Sequence, residues 1–558
     1  MAPAVKKPLN VFKLGNTGLP PQVFNWRLWF AVVNFGLLGA ARGLDEGLIT
    51  GVFNSKGFQE LLHLGNYSKA EQANIKGNVS AMTLIGCVPG SIIAYFACDR
   101  IGRLWTVREV CLVWLIGITI FMANQGHLGA VYAGRFIVGL GMGQIPVVGP
   151  IYIAEVAPAP IRGLCTCSST ALGYLILVIA YFANYGARLH LNGTNAQWVS
   201  LNITEPPLFT TAKYPLQQIP NSLNFIFAGV ILLMSFFQTE TPRFYVKQGK
   251  PGLAVKAMAR FRNLPPDDPY VLEEMSAVQS HWLAESETTK GQGAIGLAKE
   301  IFLVPSNLYR LYIGVMGQIL SQWSGAGSIT LYAVDLFNVV GVRGQEESLL
   351  ISAVYGIVKF IAALICLLFL VDVVGRKRSL LAGITLQAIS MIYVAAFLSS
   401  TPQLGVDKHF EVPASKRGAS LAAIVMIFFS GFGWALGWSS MQYLLTAELF
   451  PLRIRAACTS LIMVAHFANQ YGNGRAVPNM LLPLGEGGIN PSGTFWTFAA
   501  VTVAGGIWVV FTIPETAGRT LESMDRLFQL PWYKIGLRGN DDAAMRDEAE
   551  TREEKVVT

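Results

Sequence analysis

Long apolar runs separated by short polar turns alternate along most of this chain. The runs are close to the roughly 20 residues that a helix needs to cross a bilayer. They lie near 28–51, 79–98, 106–123, 129–154, 164–187, 221–238, 311–334, 348–371, 379–398, 419–447, 457–483 and 494–513. The pattern predicts an all-α membrane protein with about twelve spanning helices, which we number span one to span twelve, six in each half.

Two short polar motifs occur twice, once in each predicted half. The turn at 99–103 has the sequence DRIGR, and the turn at 372–377 has the sequence DVVGRK. Each turn follows an apolar run and places Asp, Gly and a basic residue together. A second pair, Glu155…Pro158…Arg162 and Glu448…Pro451…Arg455, has identical internal spacing. This duplication is typical of secondary transporters, in which the substrate binds between two repeated halves.

The polar segments between the apolar runs divide the chain into five parts. We expect a tail at 1–27, an N-terminal six-helix bundle at 28–238 and a helical linker at 239–310. A C-terminal six-helix bundle at 311–513 and a second tail at 514–558 follow. Amphipathic runs near 253–262 and 270–284 predict helices within the linker, whereas the Asp-, Glu- and Arg-rich end after residue 536 is typical of disordered segments.

Composition and charge agree with a membrane protein and set its orientation. Charged residues make up 14% of the chain, below the usual content of soluble domains, and hydrophobic residues make up 52%. About 29 Lys and Arg residues lie on the side of both termini and about 9 on the other side. Basic residues near spans are retained in the cytoplasm, so both termini are expected there. The net charge of +8 is thus a membrane-surface feature and not a nucleic-acid footprint.

The remaining composition gives few further sites. The first 27 residues lack the apolar core of a cleavable signal peptide. All seven cysteines lie in predicted spans or at their cytoplasmic ends, so no disulfide framework, metal site or cofactor is predicted. The long loop at 188–220 contains two glycosylation sequons, at Asn192 and Asn202, on the predicted outer side.

Further motifs are found in a fixed order along the chain. They are GLDEG at 43–47, GRFIVG at 134–139, ETPRF at 240–244 and PETAGR at 514–519. With the duplicated turns, they cover nearly the whole chain. Together they resemble the sugar porter family of the major facilitator superfamily, and specifically the fungal branch of quinate, galacturonate and hexose permeases.

The resemblance implies two six-helix bundles around a central cavity that opens alternately to the two sides. It also implies that cytoplasmic acid–base motifs hold the bundles together in the outward-facing state. The residues that match these motifs are Asp99, Arg103, Glu155, Arg162, Glu240, Arg243, Asp372, Arg376, Glu448, Arg455 and Glu515. Ion pairs at the water interface suit this role because a small energy difference is enough to shift a two-state equilibrium.

Four cations, Arg42, Arg135, Lys359 and Arg475, lie inside predicted spans, where a charge is costly and normally faces a cavity or a partner. In proton-coupled members of the family, an Asp in span one takes the proton and an Arg in span four is its partner. Asp45 and Arg135 match these positions. A contact of this kind that forms and breaks is a physical route to proton uptake and release, and a purely structural ion pair is the alternative.

The positions that contact sugar in the family depart from its pattern. Thr170 replaces a typical Gln in span five, and the motif at 321–327 in span seven keeps one Gln, Gln322, but lacks the second Gln and the Asn. In the family this motif has two Gln and an Asn. Lost amides remove hydrogen bonds to sugar hydroxyls. The polar and stacking contacts that remain are Thr170, Gln322, Trp438, Tyr443 and Gln470, and for the aromatic residues ordinary helix packing is the alternative.

Two extra cations suggest an anionic, polyhydroxylated substrate such as a uronic acid or quinate. Arg475 lies three residues before Pro478 and offers a planar fork suited to a carboxylate, and Arg42 is unusual in the span-one motif. The alternatives are that Arg42 pairs only with Glu46 and that Arg475 extends to the outer surface. Lys359 is a weaker indication, because basic residues in span eight are not rare among fungal relatives.

These features together predict proton-coupled symport of a sugar or sugar acid across the plasma membrane. Partners are the small-molecule substrate, protons and the bilayer, with no nucleic acid. Transport of a neutral hexose or pentose, by symport or by facilitated diffusion, stays open. A nutrient sensor is the second class, although the short tail has no signalling module. An enzyme is not expected, since a P-loop, a metal cluster and a nucleophile elbow are missing from the sequence.

Overall fold

Every regular element in the computed structural model is a helix within the residues that the structure describes. These are residues 20–53, 55–158, 161–191, 221–289, 294–342, 344–370, 375–404, 410, 412–439, 449–515, 527–528 and 530–536. Within them, nine helices are long and apolar enough to cross a membrane.

The first six predicted spans form the N-terminal bundle. Their helices are Trp26–Leu37 with Gly39–Phe53, Lys69–Arg100, Arg103–Met122, Leu128–Met142 with Ile145–Val156, Arg162–Leu191 and Leu223–Phe236. Short helices at Lys56–Leu61 and Leu64–Asn66 connect spans one and two. Span six has only 14 residues and is therefore not among the nine long helices.

The last six spans form the C-terminal bundle. Their helices are Pro305–Trp323 followed by Ala326–Leu331 and Ala333–Val339, Gln345–Ile365, Arg376–Ser400, Arg417–Leu436, Leu452–Met480 and Asn490–Thr512. A π-helical turn at Cys366–Leu370 extends span eight. The linker contains Pro242–Lys247, Pro251–Arg262, Pro269–Thr289 and Ala294–Leu303, and a short helix, Trp532–Ile535, follows span twelve.

Two of the differences between the predicted and the observed spans have a clear local cause. Span two was expected at 79–98 but begins at Lys69, because Ser68 and Glu71 form a capping box that starts the helix in its polar region. Span seven was expected to be continuous over 311–334 but breaks after Trp323. Gly325 there has φ +87°, a left-handed conformation that ends the helix and that other residues rarely adopt.

The internal duplication is visible in the backbone as well as in the sequence. Gly102 and Gly375 have φ +95° and +98°, and each directly precedes the helix of the next span. Glycine pairs also recur where helices cross. A Cβ on Gly134 would lie 2.9 Å from the carbonyl oxygen of Gly117, and one on Gly433 would lie 2.6 Å from that of Gly383. Small residues at these crossings allow close helix packing inside a membrane.

Four helices form most of the interface between the bundles. Span two packs on span eleven, and span five packs on span eight. On the N-terminal side, Asn25 caps span one and also donates a hydrogen bond of 2.7 Å to the carbonyl of Phe261, so the linker is fastened to the N-terminal bundle. The central space between the four interface helices contains the candidate site.

Candidate functional site

A cavity of about 160 Å³ lies between the two bundles and is lined by both. Its apolar wall includes Phe35, Met142, Pro146, Leu177 and Phe467. The side chains with polar groups that line it are those of Arg42, Asp45, Glu46, Thr166, Ser169, Thr170, Tyr174, Thr330, Lys359, Trp434, Ser439 and Gln470. An apolar wall with a few convergent polar groups is the usual character of a small-molecule site.

Asp45 and Arg135 form an ion pair at the edge of this cavity. Arg135 Nη1 bonds one carboxylate oxygen of Asp45, and Nη2 lies 3.3 Å from the other. The Arg135 side chain is 4% exposed and the Asp45 side chain 10%. Arg135 Nε also donates to the carbonyl of Val79 at 3.1 Å, so Arg135 is fixed on span two independently of Asp45. This arrangement allows the carboxylate to leave without displacing the guanidinium.

Arg42 and Glu46 form a second pair one turn apart on span one. Arg42 Nε lies 2.7 Å from Glu46 Oε1, and the same oxygen accepts a longer bond, 3.4 Å, from Gln470 of span eleven. Glu46 thus connects the N-terminal bundle to the C-terminal bundle across the cavity. A small adjoining cavity of about 20 Å³ touches both Asp45 and Glu46 and is large enough for one water molecule.

Another part of the cavity wall is a cluster of hydroxyl, indole and amino groups. Tyr174 of span five bonds Ser439 at 2.7 Å and accepts a hydrogen bond of 3.2 Å from the indole of Trp434. Lys359 of span eight lies over the Tyr174 ring, with its Nζ 4.7 Å from the ring centre. The cluster therefore combines residues of spans five, eight and ten, from both bundles.

The structure brings together some of the predicted substrate contacts and separates others. Arg42, Thr170 and Gln470 line the main cavity, and Gln322 lines the small adjoining one. Trp438 is buried beside Gly505 of span twelve and does not line the cavity, whereas Trp434, four residues earlier, does. Tyr443 lies outside the described residues.

Arg475 lies away from the cavity lining. Its Nη2 donates to Asn74 Oδ1 at 2.9 Å, and Asn479 of the same helix donates to the same oxygen at 3.2 Å. These bonds join span eleven to span two at the face of the protein opposite the chain termini, which we call the distal face. The location favours a role in holding the bundles together over the expected role in binding a substrate carboxylate.

The motif residues of the N-terminal bundle form one cluster at the face of the termini. Arg103 Nη2 lies 2.9 Å from Glu155 and Nη1 lies 3.7 Å from Asp99. The other Glu155 oxygen accepts a hydrogen bond of 2.5 Å from the Thr241 hydroxyl. Glu240 accepts from the backbone N–H groups of Leu104 and Thr241, each at 2.9 Å. These contacts join the ends of spans two, three, four and six within one bundle.

The C-terminal bundle repeats part of this cluster. Glu515 accepts hydrogen bonds from the backbone N–H groups of Arg376 and Lys377, at 2.8 and 3.2 Å, as Glu240 does from Leu104. Arg455 donates to the carbonyl of Phe450 at 2.9 and 3.1 Å, and Arg243 lies half-buried in the first linker helix. Asp372, Glu448, the side chain of Arg162 and both sequons, Asn192 and Asn202, lie outside what the structure describes.

Sequence reasoning gave little weight to three residues that line the cavity. The sequence marks Lys359 as a cation within a span, but nothing in it distinguishes Tyr174 and Trp434 from the other aromatic residues of their spans. The available signal was a Lys in span eight together with aromatic residues in spans five and ten. Their convergence depends on how these three helices pack, which their separate sequences do not specify.

The family model described as sugar (and other) transporter matches residues 31–528. The chain belongs to this family. Among curated proteins, a probable quinate permease of Aspergillus niger is 27% identical over 513 residues, covering 91% of this chain and 89% of the relative. A quinate permease of Neurospora terricola is 25% identical over 517 residues, covering 92% and 90%. The predicted family is thus confirmed.

Solved structures of transporters have the same fold as this family member. The proton:xylose symporter XylE, a major facilitator protein bound to 6-bromo-6-deoxy-D-glucose, superposes with a TM-score of 0.72 at 20% identity. The match covers 90% of this chain and 99% of that one. An inward-open form of XylE from E. coli matches with a TM-score of 0.65 at 19% identity. The predicted major facilitator fold is confirmed, and the chain is a multi-pass membrane transporter.

Proposed function

We propose that this chain is a proton-coupled symporter of a sugar or sugar acid, of the quinate or galacturonate type, in the plasma membrane. Both termini are cytoplasmic, and the distal face is extracellular. The relatives named quinate permeases and the symporter fold support this function. The observation that carries it is the Asp45–Arg135 ion pair at a cavity between two repeated bundles.

The pair suits proton coupling for a physical reason. A buried ion pair gains little net stability, because the cost of removing both charges from water offsets much of their attraction. Protonation of Asp45 would break the pair, while Arg135 would keep its bond to the carbonyl of Val79. Span one would then be released from span four, and the bundles could move relative to each other with substrate and proton bound together.

The test replaces Asp45 by Asn, which resembles the protonated acid. In proteoliposomes with an imposed pH gradient, the wild type should concentrate quinate or galacturonate and alkalinise the side from which the proton is taken. D45N should lose this accumulation, whereas exchange of labelled for unlabelled substrate should persist, because exchange needs no net proton movement. The matched control is D267N, which removes a carboxylate from an exposed position in the linker.

Competition by quinate, galacturonate, glucose and galactose identifies the substrate class in the same preparation. If D45N still concentrates substrate as the wild type does, proton coupling through Asp45 is wrong. If only the neutral sugars compete, the transporter carries a neutral hexose. If uptake equilibrates without following the pH gradient in the wild type, the protein is a facilitator.

A further inference from the structure

Lys359 places an amino group inside the central cavity. The residue is 2% exposed, and its Nζ donates a hydrogen bond of 2.7 Å to the hydroxyl of Thr330. The ring centres of Tyr174 and Tyr355 lie 4.7 and 5.5 Å from Nζ. An ammonium has three N–H donors, and Thr330 accepts from only one of them.

When Lys359 is protonated, the charges around the cavity do not balance without a ligand. Asp45 is paired with Arg135, and Glu46 is paired with Arg42 at 2.7 Å. Each carboxylate of the cavity therefore has its own guanidinium. Among the described residues, no carboxylate lies within 4.0 Å of Lys359. With Lys359 protonated, three cations and two carboxylates leave one positive charge in excess, and an anionic ligand favours this protonated form.

A buried ammonium without an anion is unfavourable, because the interior replaces the hydration that it loses only in part. The faces of the two tyrosine rings provide some of this compensation through cation–π interaction. A carboxylate would provide the rest, with charge-assisted hydrogen bonds to the remaining N–H groups. Thr170, Ser169 and Gln470, which line the same cavity, offer partners for hydroxyl groups.

We propose that Lys359 binds the carboxylate of a polyhydroxylated monocarboxylic acid, a reading that rests on the function proposed above. The anion lies between the bundles, because Tyr174 belongs to span five whereas Lys359 and Thr330 belong to spans eight and seven. Binding of the anion neutralises the excess charge of the cavity. Arg475, bonded to Asn74 outside the cavity lining, takes no part in this recognition.

The test compares quinate with its methyl ester, which differ by one negative charge. Purified protein in lipid nanodiscs is titrated with each compound by calorimetry. Loss of one partner of a buried charged contact typically weakens binding about 30-fold or more, so the wild type should prefer the acid by at least that factor. This comparison needs no variant and is independent of any folding defect.

The variants then assign the preference to Lys359. K359M should lower the affinity for quinate to near that for the ester and leave the ester affinity within about threefold. K359R keeps the charge in a different shape and should retain part of the preference. K256M, at an exposed linker position, removes the same charge elsewhere and should behave as the wild type.

Each contrary outcome has a distinct meaning. A wild type that binds quinate and the ester equally, or a K359M that still prefers quinate, overturns the role of Lys359 while leaving proton-coupled transport intact. Equal losses for quinate and ester in K359M also overturn it, because they indicate a steric role. If wild-type proteoliposomes accumulate neither acids nor sugars along a pH gradient, the proposed function itself fails.

Discussion

At the residue scale, Glu240 shows how one carboxylate stabilises a turn between two spans. Its two oxygens accept the backbone N–H groups of Leu104 and Thr241, and it lies beside Gly102, whose left-handed backbone starts span three. Burial raises the pKa of Glu240, although the backbone hydrogen bonds from Thr241 and Leu104 oppose the shift. The folded protein therefore binds this proton more tightly than the unfolded chain does.

A raised pKa predicts the sign of a pH effect. Glu240 favours the folded state when protonated, and this contribution is lost as the pH rises through its pKa in the folded protein. E240Q cannot titrate at this position. The melting temperature of the wild type relative to that of E240Q should therefore increase as the pH is lowered from 7.5 to 5. Thermal unfolding of both proteins in detergent measures this difference.

The control for this measurement is E273Q, at an exposed position of the linker, which reports the general effect of removing one glutamate. A difference between wild type and E240Q that stays constant with pH, or that grows as the pH rises, would contradict the assignment.

At the scale of elements, Arg103 connects the ends of two helices. It bonds Glu155 at 2.9 Å and the carbonyl of Cys98 at 3.1 Å, so the end of span four is held to the end of span two. R103A should lower the turnover number several-fold and change the substrate affinity much less, because the cluster is separate from the cavity lining. Initial rates of exchange and equilibrium binding on the same preparation separate the two quantities.

The paired control for R103A is R108A, a basic residue of the same helix that instead bonds Ser235 of span six. A large loss of affinity with an unchanged turnover number in R103A would show that Arg103 acts on the binding site. Equal effects of the two variants would show a general effect of basic residues near the membrane surface.

Hydropathy and motif spacing predicted the helices well, because both reflect what lipid and tight turns require locally. In the structure, the two duplicated turns contain Gly102 and Gly375, which have nearly equal φ angles. Hydropathy cannot show the break at Gly325, since an apolar run continues across it. Trp434 lies within the helix Arg417–Leu436, whereas Trp438 lies beyond its end and packs against Gly505, and the sequence does not show which of the two faces the cavity.

The cavity was harder to predict than the helices, because its lining depends on how helices far apart in the chain pack together. The Asp45–Arg135 pair, expected from the resemblance, forms in the structure, but its role in coupling stays a prediction. Lys359 and Arg475 are both basic residues within spans, and the sequence does not show which of them lines the cavity and which bonds Asn74. That distinction arises from contacts between helices that are far apart in the chain.

At the scale of the whole molecule, polar contacts join the two bundles at the distal face. Lys76 of span two pairs with Asp335 of span seven at 2.6 Å, and Lys69 pairs with Glu486 at 3.1 Å. The Arg475–Asn74 bond lies at the same face. Alternating access requires these contacts to break when the cavity opens on this side, so they stabilise the state seen here against the distally open state.

The Lys76–Asp335 pair gives the last prediction, in which D335N shifts the population towards the distally open state. The two side chains are 24% and 29% exposed, so solvent screens part of their attraction and about 0.2–1 kcal/mol is expected. That energy corresponds to roughly a 1.5- to 5-fold change in population. A cysteine at Gly327 reports the opening, because Gly327 lines the cavity and a Cβ there would lie 3.6 Å from Gln322 Oε1, an ordinary contact distance. Cys87 and Cys167, which line the same cavity, are replaced by Ala in all proteins of this experiment. A membrane-impermeant maleimide applied from the distal side should label G327C faster by this factor in the protein that also carries D335N.

The control is the charge-swapped pair K76D/D335K, which should return labelling to the original rate, because it restores the attraction with the two charges exchanged. If D335N leaves the labelling rate unchanged, the pair does not hold the distal face closed.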